Sequence, residues 1–304
     1  MNYEQFKSKI VDRAGVELDD YRSITIMPDL KYNGVIEERM VIKNHESNIF
    51  PSFKLKPLYE AYKQGMDFEE VLDSILTTYK KSKQNGFFDT QSLLQDYSMV
   101  SDKIIFKLIN REKNKELLKE IPYIEYLDLA IIFFYNLPDL EINDGNSCMM
   151  VKNAHLNSWG VKVKDLMVDA MENTPRILGL KVRGIIETIC DYLGDNPLKE
   201  TFEKKEEKTP MYVATNKNGT SGASVILYQD MLKDLADKLK SDLYMIPCSV
   251  HEVILIEAIK GIDTDTSVLK DMIRQVNEEE IGEEDFLSDN LYWYSRSAEK
   301  LCIV

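Results

Sequence analysis

The sequence predicts an α+β fold, in which repeated strand-turn-strand-helix units form antiparallel or mixed sheets with helices packed on one face. The first observation is segment 211–257, where short β-branched or aromatic runs surround a helix-spaced segment and predict β-β-α-β-β. The second is a similar order of patterns near 24–79, 127–171 and 211–240. This order indicates layered hairpins and helices, and leaves an internal duplication open.

Composition limits the classes of partner. The chain has 304 residues, is 44% hydrophobic and carries a net charge of −14, which disfavours binding to nucleic acids or anionic membranes. No apolar window approaches the roughly 18 residues of a membrane span, and residues 1–15 contain no apolar leader core. These two absences predict a cytoplasmic protein. Four widely spaced cysteines form no C-x-x-C pair, so we expect reduced thiols.

The N-terminal elements follow from spacing and turn chemistry. A helix is predicted over 4–13, followed by strands at 24–27 and 39–43. Asn33-Gly34 between these strands indicates a hairpin turn. Asp67 and Glu70 form a capping box before a helical apolar pattern that continues to Tyr79.

The middle of the chain alternates predicted strands and helices. The apolar run 127–137 is too short for a membrane span and suits a central strand. The predicted helix around 166–171 is expected to end at Asn173-Thr174-Pro175. The remaining predictions are strands at 103–109 and 148–152, and helices at 112–120, around 166–171 and at 183–193.

Residues 195–209 are polar, charged and accompanied by prolines, which is typical of a linker. We therefore predict an N-terminal α+β region at 1–194, with up to two β-β-α units, and a C-terminal α+β domain at 210–304. Beyond 257 the pattern predicts a helix around 269–276 and strands at 291–295 and 301–304. The acidic run 278–285 between them is expected to be exposed.

The strongest chemical candidate is His251, because Cys248, Ser249 and Glu252 lie within three positions of it. A hydrolase could use Ser249 or Cys248 as the nucleophile and His251 as the base. If 250–257 is a strand, Ser249 and His251 share one face and Cys248 points to the other. A structural role, in which His251 satisfies a buried polar contact, is favoured over catalysis, and Glu252 is a candidate binding residue.

Two further groups complete the candidate residues. Asp289 is a candidate catalytic carboxylate because it lies among polar and aromatic residues. Tyr292, Trp293 and Tyr294 have strand alternation, which we interpret as one ring inward and two outward. The outward rings would make Tyr292 and Tyr294 candidate binding residues, although core or edge covering is the favoured interpretation.

No metal or cofactor is predicted. His45, His155 and His251 lie far apart and form no H-x-x-x-H pair that would place two ligands on one helix face. The glycine-rich stretch 219–222 lacks the Lys-Ser/Thr of a phosphate-binding loop and is predicted to be a hairpin loop.

A set of distinctive segments spans nearly the full length and includes NREKNKELL, MYVATN, DLYMIPCSVHEVILI and DFLSDNLYWY. These segments resemble a family of uncharacterised bacterial proteins, a domain of unknown function frequent in gut Firmicutes. It implies no established activity, cofactor or catalytic residue. The family pattern more usually has serine at the position of Cys248, which weakens a thiol mechanism.

The sequence therefore favours a soluble, non-enzymatic binding or regulatory protein, because strong structural patterning occurs without a catalytic motif. A protein or a small molecule could be its partner. The alternatives are the hydrolase described above and a homo-oligomeric assembly subunit.

Overall fold

The computed structural model confirms the α+β class. In the part of the chain that it describes, every paired strand runs antiparallel to its neighbours, and the strands form three sheets accompanied by helices. The described residues are 1–45, 50–84, 96–136, 148–194, 211–247, 249–258 and 266–304.

The N-terminal part is a three-stranded sheet covered by three helices. Strand order is β1-β2-β3, and the predicted hairpin turn is confirmed, with Asn33 in the left-handed region at φ 60°. Phe6, Ile42 and Leu72 belong to a buried cluster between this sheet and its helices. The elements are α1 (Tyr3–Glu17), β1 (Tyr21–Leu30), β2 (Ile36–Asn44), β3 (Ser52–Lys54), α2 (Leu55–Lys63) and α3 (Phe68–Gln84).

The middle sheet is organised around its most apolar strand, as predicted. Strand β6 lies between β4 and β5 and also pairs with β7. Its burial on both faces explains the continuous apolar run. The elements are β4 (Ile104–Asn110), α4 (Lys115–Leu118), β5 (Tyr123–Tyr126), β6 (Leu129–Asn136), β7 (Cys148–Met150), α5 (Asn153–Trp159) and α6 (Val163–Leu178).

Helix α6 continues through Pro175, so the predicted termination at Asn173-Thr174-Pro175 is wrong. Tertiary hydrogen bonds hold this turn in place. The Asn173 side chain donates to the carbonyls of Ser101 and Ile104, at 2.7 and 3.1 Å. The Thr174 hydroxyl donates to Ala170 and accepts from a strand β4 amide.

The third sheet has six strands in the order β13-β12-β10-β11-β9-β8. The structure confirms the predicted strands 291–295 and 301–304 and the helix near 269–276, with small shifts of their ends. The helix predicted at 183–193 starts at Ile185, because Lys181–Gly184 form a strand. The elements are β8 (Lys181–Gly184), α7 (Ile185–Leu193), β9 (Met211–Thr215), α8 (Met231–Leu239), β10 (Leu243–Ile246), β11 (Val253–Glu257), α9 (Thr266–Glu279), β12 (Tyr292–Ser295) and β13 (Lys300–Ile303).

The predicted β-β-α-β-β order of 211–257 needs one correction. Residues Gly222–Leu227 form a 3-10 helix instead of a second strand, and the stretch 219–222 is therefore not a hairpin loop. Strand β9 pairs with β8 and β11. Burial of Val225 and Ile226 in the core holds the segment as a helical turn despite its strand-like composition. The third of the three similar segments thus lacks the strand-turn-strand start.

The proposed linker 195–209 lies outside the described residues, and the domain boundary there stays a prediction. Residues on its two sides nevertheless share one core. Strand β8 pairs with β9 across the boundary. The largest buried cluster includes Phe133 and Leu166 on one side, and Val225 and Leu255 on the other.

Within the described ranges, none of the helices has the length and apolar character needed to cross a membrane. Three of the four cysteines are described, and Cys148, Cys190 and Cys302 are free thiols.

Candidate functional site

The ring of His251 is hydrogen-bonded at both nitrogens. The backbone N–H of Ser221 donates to Nδ1 at 3.1 Å, and Asp285 Oδ1 lies 3.1 Å from Nε2. An amide N–H only donates, so Nδ1 must accept, and Nε2 carries the proton that is donated to Asp285. The fold therefore holds His251 in one tautomer, and each ring nitrogen already has a partner.

Ser249 lies close to His251 in the chain but is bonded to its backbone, not to its ring. The Ser249 hydroxyl accepts a hydrogen bond from the His251 amide at 3.1 Å, and Ser249 is only 5% exposed. The predicted strand 250–257 begins at Val253, so the alternation argument does not apply to Ser249 and His251. Cys248 lies outside the described residues.

Asp289, the predicted carboxylate, contacts a different element. Its Oδ1 accepts from Asn277 Nδ2 at 2.8 Å. The carboxylate that contacts His251 is Asp285, which sequence reasoning missed. Asp285 ends the acidic run 278–285, and no spacing pattern distinguishes it from its acidic neighbours.

The loop that carries Asp285 is held by the other two sheets. We call residues 282–288 the Asp285 loop. The side chain of Asn33, in the β1–β2 turn, donates to the loop carbonyls of Glu283 and Phe286 at 2.8 and 2.9 Å. Asn110, at the end of β4, donates to Leu287 O at 2.9 Å. Strands far from His251 in sequence thus position its carboxylate partner.

Tyr292 and Tyr294 point inward, so their interpretation as outward rings is wrong, and their burial agrees with the favoured core interpretation. They are 0% and 5% exposed, because alternate residues of β12 face the core, while Trp293 packs on Tyr244 at the opposite face. The Tyr292 hydroxyl donates to Asp128. Burial raises the pKa of Tyr292, and the Asp128 carboxylate raises it further. These tyrosines are core residues.

A polar cleft of about 270 Å³ lies beside the backbone of His251. Lys181 and Thr215 are directly opposed in the β8–β9 ladder, as are Arg183 and Val213, so these four residues share one face of the sheet. We call this space the β8–β9 cleft. Its lining residues are Lys181, Arg183, Thr188, Asp191, Val213, Thr215, Asn216, Lys217, Asn218, Gly219 and Glu252.

The charges of the β8–β9 cleft are only partly neutralised by the protein. Arg183 pairs with Asp191 and with Glu187, the latter at 3.4 Å. Among the described residues, by contrast, no ion pair involves Lys181, Lys217 or Glu252. Within the described ranges, two cations and one carboxylate of this cleft therefore have no ion-pair partner.

The wall of the cleft is connected to His251. Thr215 Oγ1 donates to the His251 carbonyl at 2.7 Å. Asn216 shapes the following loop, because its Nδ2 donates to Thr220 O at 2.8 Å and its Oδ1 accepts from the Asn218 amide at 3.0 Å. The hydrogen bonds of His251 thus support the segment that lines the cleft.

A second polar cleft, of about 390 Å³, lies between the end of α8 and the β12–β13 turn. Its arginine is already paired, because Arg296 Nε donates to Asp237 at 2.6 Å and its amide donates to Asp242 at 2.8 Å. Fewer of its charges are available for a ligand. Its lining residues are Asp237, Lys240, Ser241, Asp242, Ala258, Arg296 and Ser297.

The described side chains include no group of three or more His, Cys, Asp or Glu that could hold a metal ion. The expectation that the protein uses no metal or cofactor stays a prediction.

The fold and the site together define an α+β protein of antiparallel sheets, with a partly charged cleft beside a fully hydrogen-bonded histidine. The chain belongs to DUF5688, a family of unknown function whose model matches residues 3–296. This confirms the resemblance to a domain of unknown function, while the bacterial source stays a prediction. No curated protein matches the chain. No solved structure matches it either.

Proposed function

We propose that the chain is a non-enzymatic binding or regulatory protein whose ligand site is the β8–β9 cleft. One observation carries the proposal: Lys181, Lys217 and Glu252 line this cleft without an ion-pair partner among the described residues. Lys181 and Glu252 are also partly buried. Removing charged groups from water is unfavourable unless they are paired, so a polar ligand would stabilise them.

Binding is favoured over hydrolysis by the geometry of His251. A nucleophile needs a base with a free ring nitrogen within hydrogen-bond reach. Both nitrogens of His251 have partners, and Ser249 contacts only its backbone. The hydrolase alternative, with Ser249 or Cys248, therefore requires the ring to leave Ser221. Ester hydrolysis that disappears in Ser249→Ala would overturn the binding proposal.

The assembly subunit is the remaining alternative. It predicts a mass that rises with protein concentration in light scattering. For the binding protein alone, we expect a constant mass across the same concentrations.

We also propose a cytoplasmic location. It is supported by the free thiols of Cys148, Cys190 and Cys302, since reducing compartments keep cysteines unpaired. Cell fractionation would test it, and recovery of the protein from an oxidising compartment would contradict it.

A thermal-shift screen of small polar metabolites tests the proposed ligand site. Thr188, on the α7 wall, would be replaced by phenylalanine to fill the β8–β9 cleft. The matched control is Ser297→Phe, which fills the second polar cleft instead. Each protein is compared with its own melting temperature without ligand, so a change in basal stability does not affect the result.

We expect at least one metabolite to raise the melting temperature of the unmodified protein and of Ser297→Phe, but not of Thr188→Phe. A ligand at 100 times its dissociation constant stabilises the folded state by about 2.7 kcal/mol, which such a screen detects. The absence of any stabilising metabolite would contradict the proposal. A metabolite that raises the melting temperature of Thr188→Phe as much as that of the unmodified protein would also contradict the proposed ligand site.

A further inference from the structure

Opposite charges lie on the two sides of Thr215 in the β8–β9 cleft. Strand β9 lies between β8 and β11. On one side of β9, Lys181 lies opposite Thr215 in the β8–β9 ladder. On the other side, Val253 lies opposite Ala214 in the β9–β11 ladder. Continuing this antiparallel register by one residue places Glu252 beside Thr215. Neighbouring strands are about 4.8 Å apart, so the backbones of Lys181 and Glu252 are separated by roughly 10 Å.

Lys217 supplies a second cation at the end of the cleft, and its position is constrained. Its amide donates to Leu178 O at 3.0 Å. Its aliphatic stem lies over Gly179, where an added Cβ would be 2.7 Å from Lys217 Cδ. The glycine thus makes room for the stem.

The available charges define the complementary ligand. Arg183 is already paired with Glu187 and Asp191. The lining charges without an ion-pair partner among the described residues are the ammonium groups of Lys181 and Lys217 and the carboxylate of Glu252. Two ammonium groups and one carboxylate complement a ligand with two carboxylates and one ammonium group. Electrostatic complementarity of this kind provides specificity.

The size of the cleft restricts the ligand further. Its volume, about 270 Å³, lies just below the roughly 300–1,000 Å³ of sites for drug-sized molecules. A free amino acid is smaller than a drug-sized molecule and is compatible with this volume. Thr188 adds a hydroxyl group to the wall; its proton is donated to Gly184 O at 3.0 Å, so its oxygen can still accept a hydrogen bond from a ligand.

We infer that the β8–β9 cleft binds an acidic amino acid, with one carboxylate at Lys181, the other at Lys217, and the ammonium group at Glu252. This inference rests on the proposed function and specifies its ligand class. The site requires all three ligand charges, so removal of any one of them should weaken binding.

Isothermal titration calorimetry with L-glutamate, L-aspartate and three relatives of glutamate tests the inference. Glutarate lacks the ammonium group, 4-aminobutyrate lacks the α-carboxylate, and L-glutamine replaces the side-chain carboxylate with a neutral amide. We expect L-glutamate or L-aspartate to bind. If glutamate is the ligand, each of its three relatives should bind at least about tenfold more weakly, because each leaves a charged protein group unpaired.

Variants assign each charge to its partner. Lys181→Met and Lys217→Met should each weaken binding of the acidic amino acid by about tenfold or more. Glu252→Gln should remove the preference for glutamate over glutarate, which a merely structural role of Glu252 would not do. Lys240→Met changes a lysine of the second cleft and should bind like the unmodified protein. Circular dichroism confirms that each variant is folded.

The outcomes separate this inference from the proposed function. If neither acidic amino acid binds, while the metabolite screen finds a ligand that Thr188→Phe excludes, the inference is overturned and the proposed function stands. Equal affinity for glutamate and glutarate in the unmodified protein also overturns it. If calorimetry and the screen both find no ligand, both proposals fail.

Discussion

His251 connects three separate segments through its ring and its carbonyl group. The ring accepts from Ser221 and contacts Asp285, while the carbonyl accepts from Thr215. A polar group that is partly buried among apolar strands must find such partners, because an unmade hydrogen bond is costly. The structural role favoured by the sequence is therefore consistent with these contacts.

Replacement of His251 by alanine should lower the free energy of unfolding by about 1–3 kcal/mol, because the Ser221 amide and the Asp285 carboxylate lose their partner. Thermal and urea unfolding measure the change. His45→Ala, at an exposed position, is the matched control and should leave stability nearly unchanged. An unchanged melting temperature in His251→Ala would instead favour a functional site at the imidazole.

His155 predicts a pH dependence of stability. Burial, followed by the charge of Lys152, lowers the pKa of His155 in the folded protein. Its Nδ1 lies 2.5 Å from the Tyr135 hydroxyl oxygen and accepts from the Lys152 amide at 3.1 Å. The unfolded chain therefore binds a proton more readily than the folded protein. The stability contribution is present above the unfolded pKa of about 6.5 and is lost as pH falls below it.

We expect the unmodified protein to lose more stability than His155→Gln between about pH 7.5 and pH 5, since glutamine does not titrate. Urea unfolding at both pH values measures the two losses. Equal losses in the two proteins would contradict a role for His155 in the pH dependence.

At the scale of elements, the 3-10 helix Gly222–Leu227 depends on close packing at its first residue. A Cβ on Gly222 would lie 2.0 Å from Thr215 Oγ1 and 2.5 Å from the carbonyl oxygen of His251. The Ala223 amide then donates to Val250 O at 3.1 Å. The absence of a side chain at Gly222 therefore allows this turn to pack on the segment that contains His251.

Gly222→Ala should destabilise the protein by about 3 kcal/mol, the upper end of the cost of overpacking, because backbone atoms are among those that would have to move. Gly282→Ala is the matched control. Its new Cβ would lie 3.6 Å from Asp285 Oδ2, an ordinary contact, and stability should change by no more than about 0.5 kcal/mol. Comparable melting temperatures for the two variants would contradict the packing argument.

At the scale of the whole molecule, the three sheets are joined by buried hydrogen bonds. The Asn33 side-chain oxygen Oδ1 accepts from Asn114 Nδ2 at 2.7 Å. The backbone N–H of Asn33 donates to Asn114 Oδ1 at 2.8 Å. Its Nδ2 donates to the Asp285 loop. One asparagine in the N-terminal turn thus contacts both Asn114, in the turn that follows strand β4, and the loop beside the third sheet.

Limited proteolysis should cut first within 195–209, because polar, proline-bounded segments are preferred sites of cleavage. The two fragments should remain together in native size-exclusion chromatography, since β8 pairs with β9 across the cut and both fragments contribute to one core. They should separate in denaturant. First cleavage inside 211–257 would contradict the predicted boundary, and native separation would contradict a shared core.

Local patterns in the sequence determined most elements. Helix α3 and the β1–β2 turn followed from a capping box and from Asn33-Gly34, and the central position of β6 followed from its apolar run. Each of these signals operates over a few neighbouring residues. The sequence also pointed to His251 and Glu252, because polar residues between two apolar strands need a partner.

Only the tertiary structure decided which distant residues meet. It placed Asp285 instead of Asp289 at His251, and Lys181 opposite Thr215. It also turned Tyr292 toward the core. These outcomes depend on strand order and on packing between segments far apart in the chain, whereas propensity and periodicity report only local geometry. The β8–β9 cleft is therefore a product of the third sheet, which brings together residues that no local pattern connects.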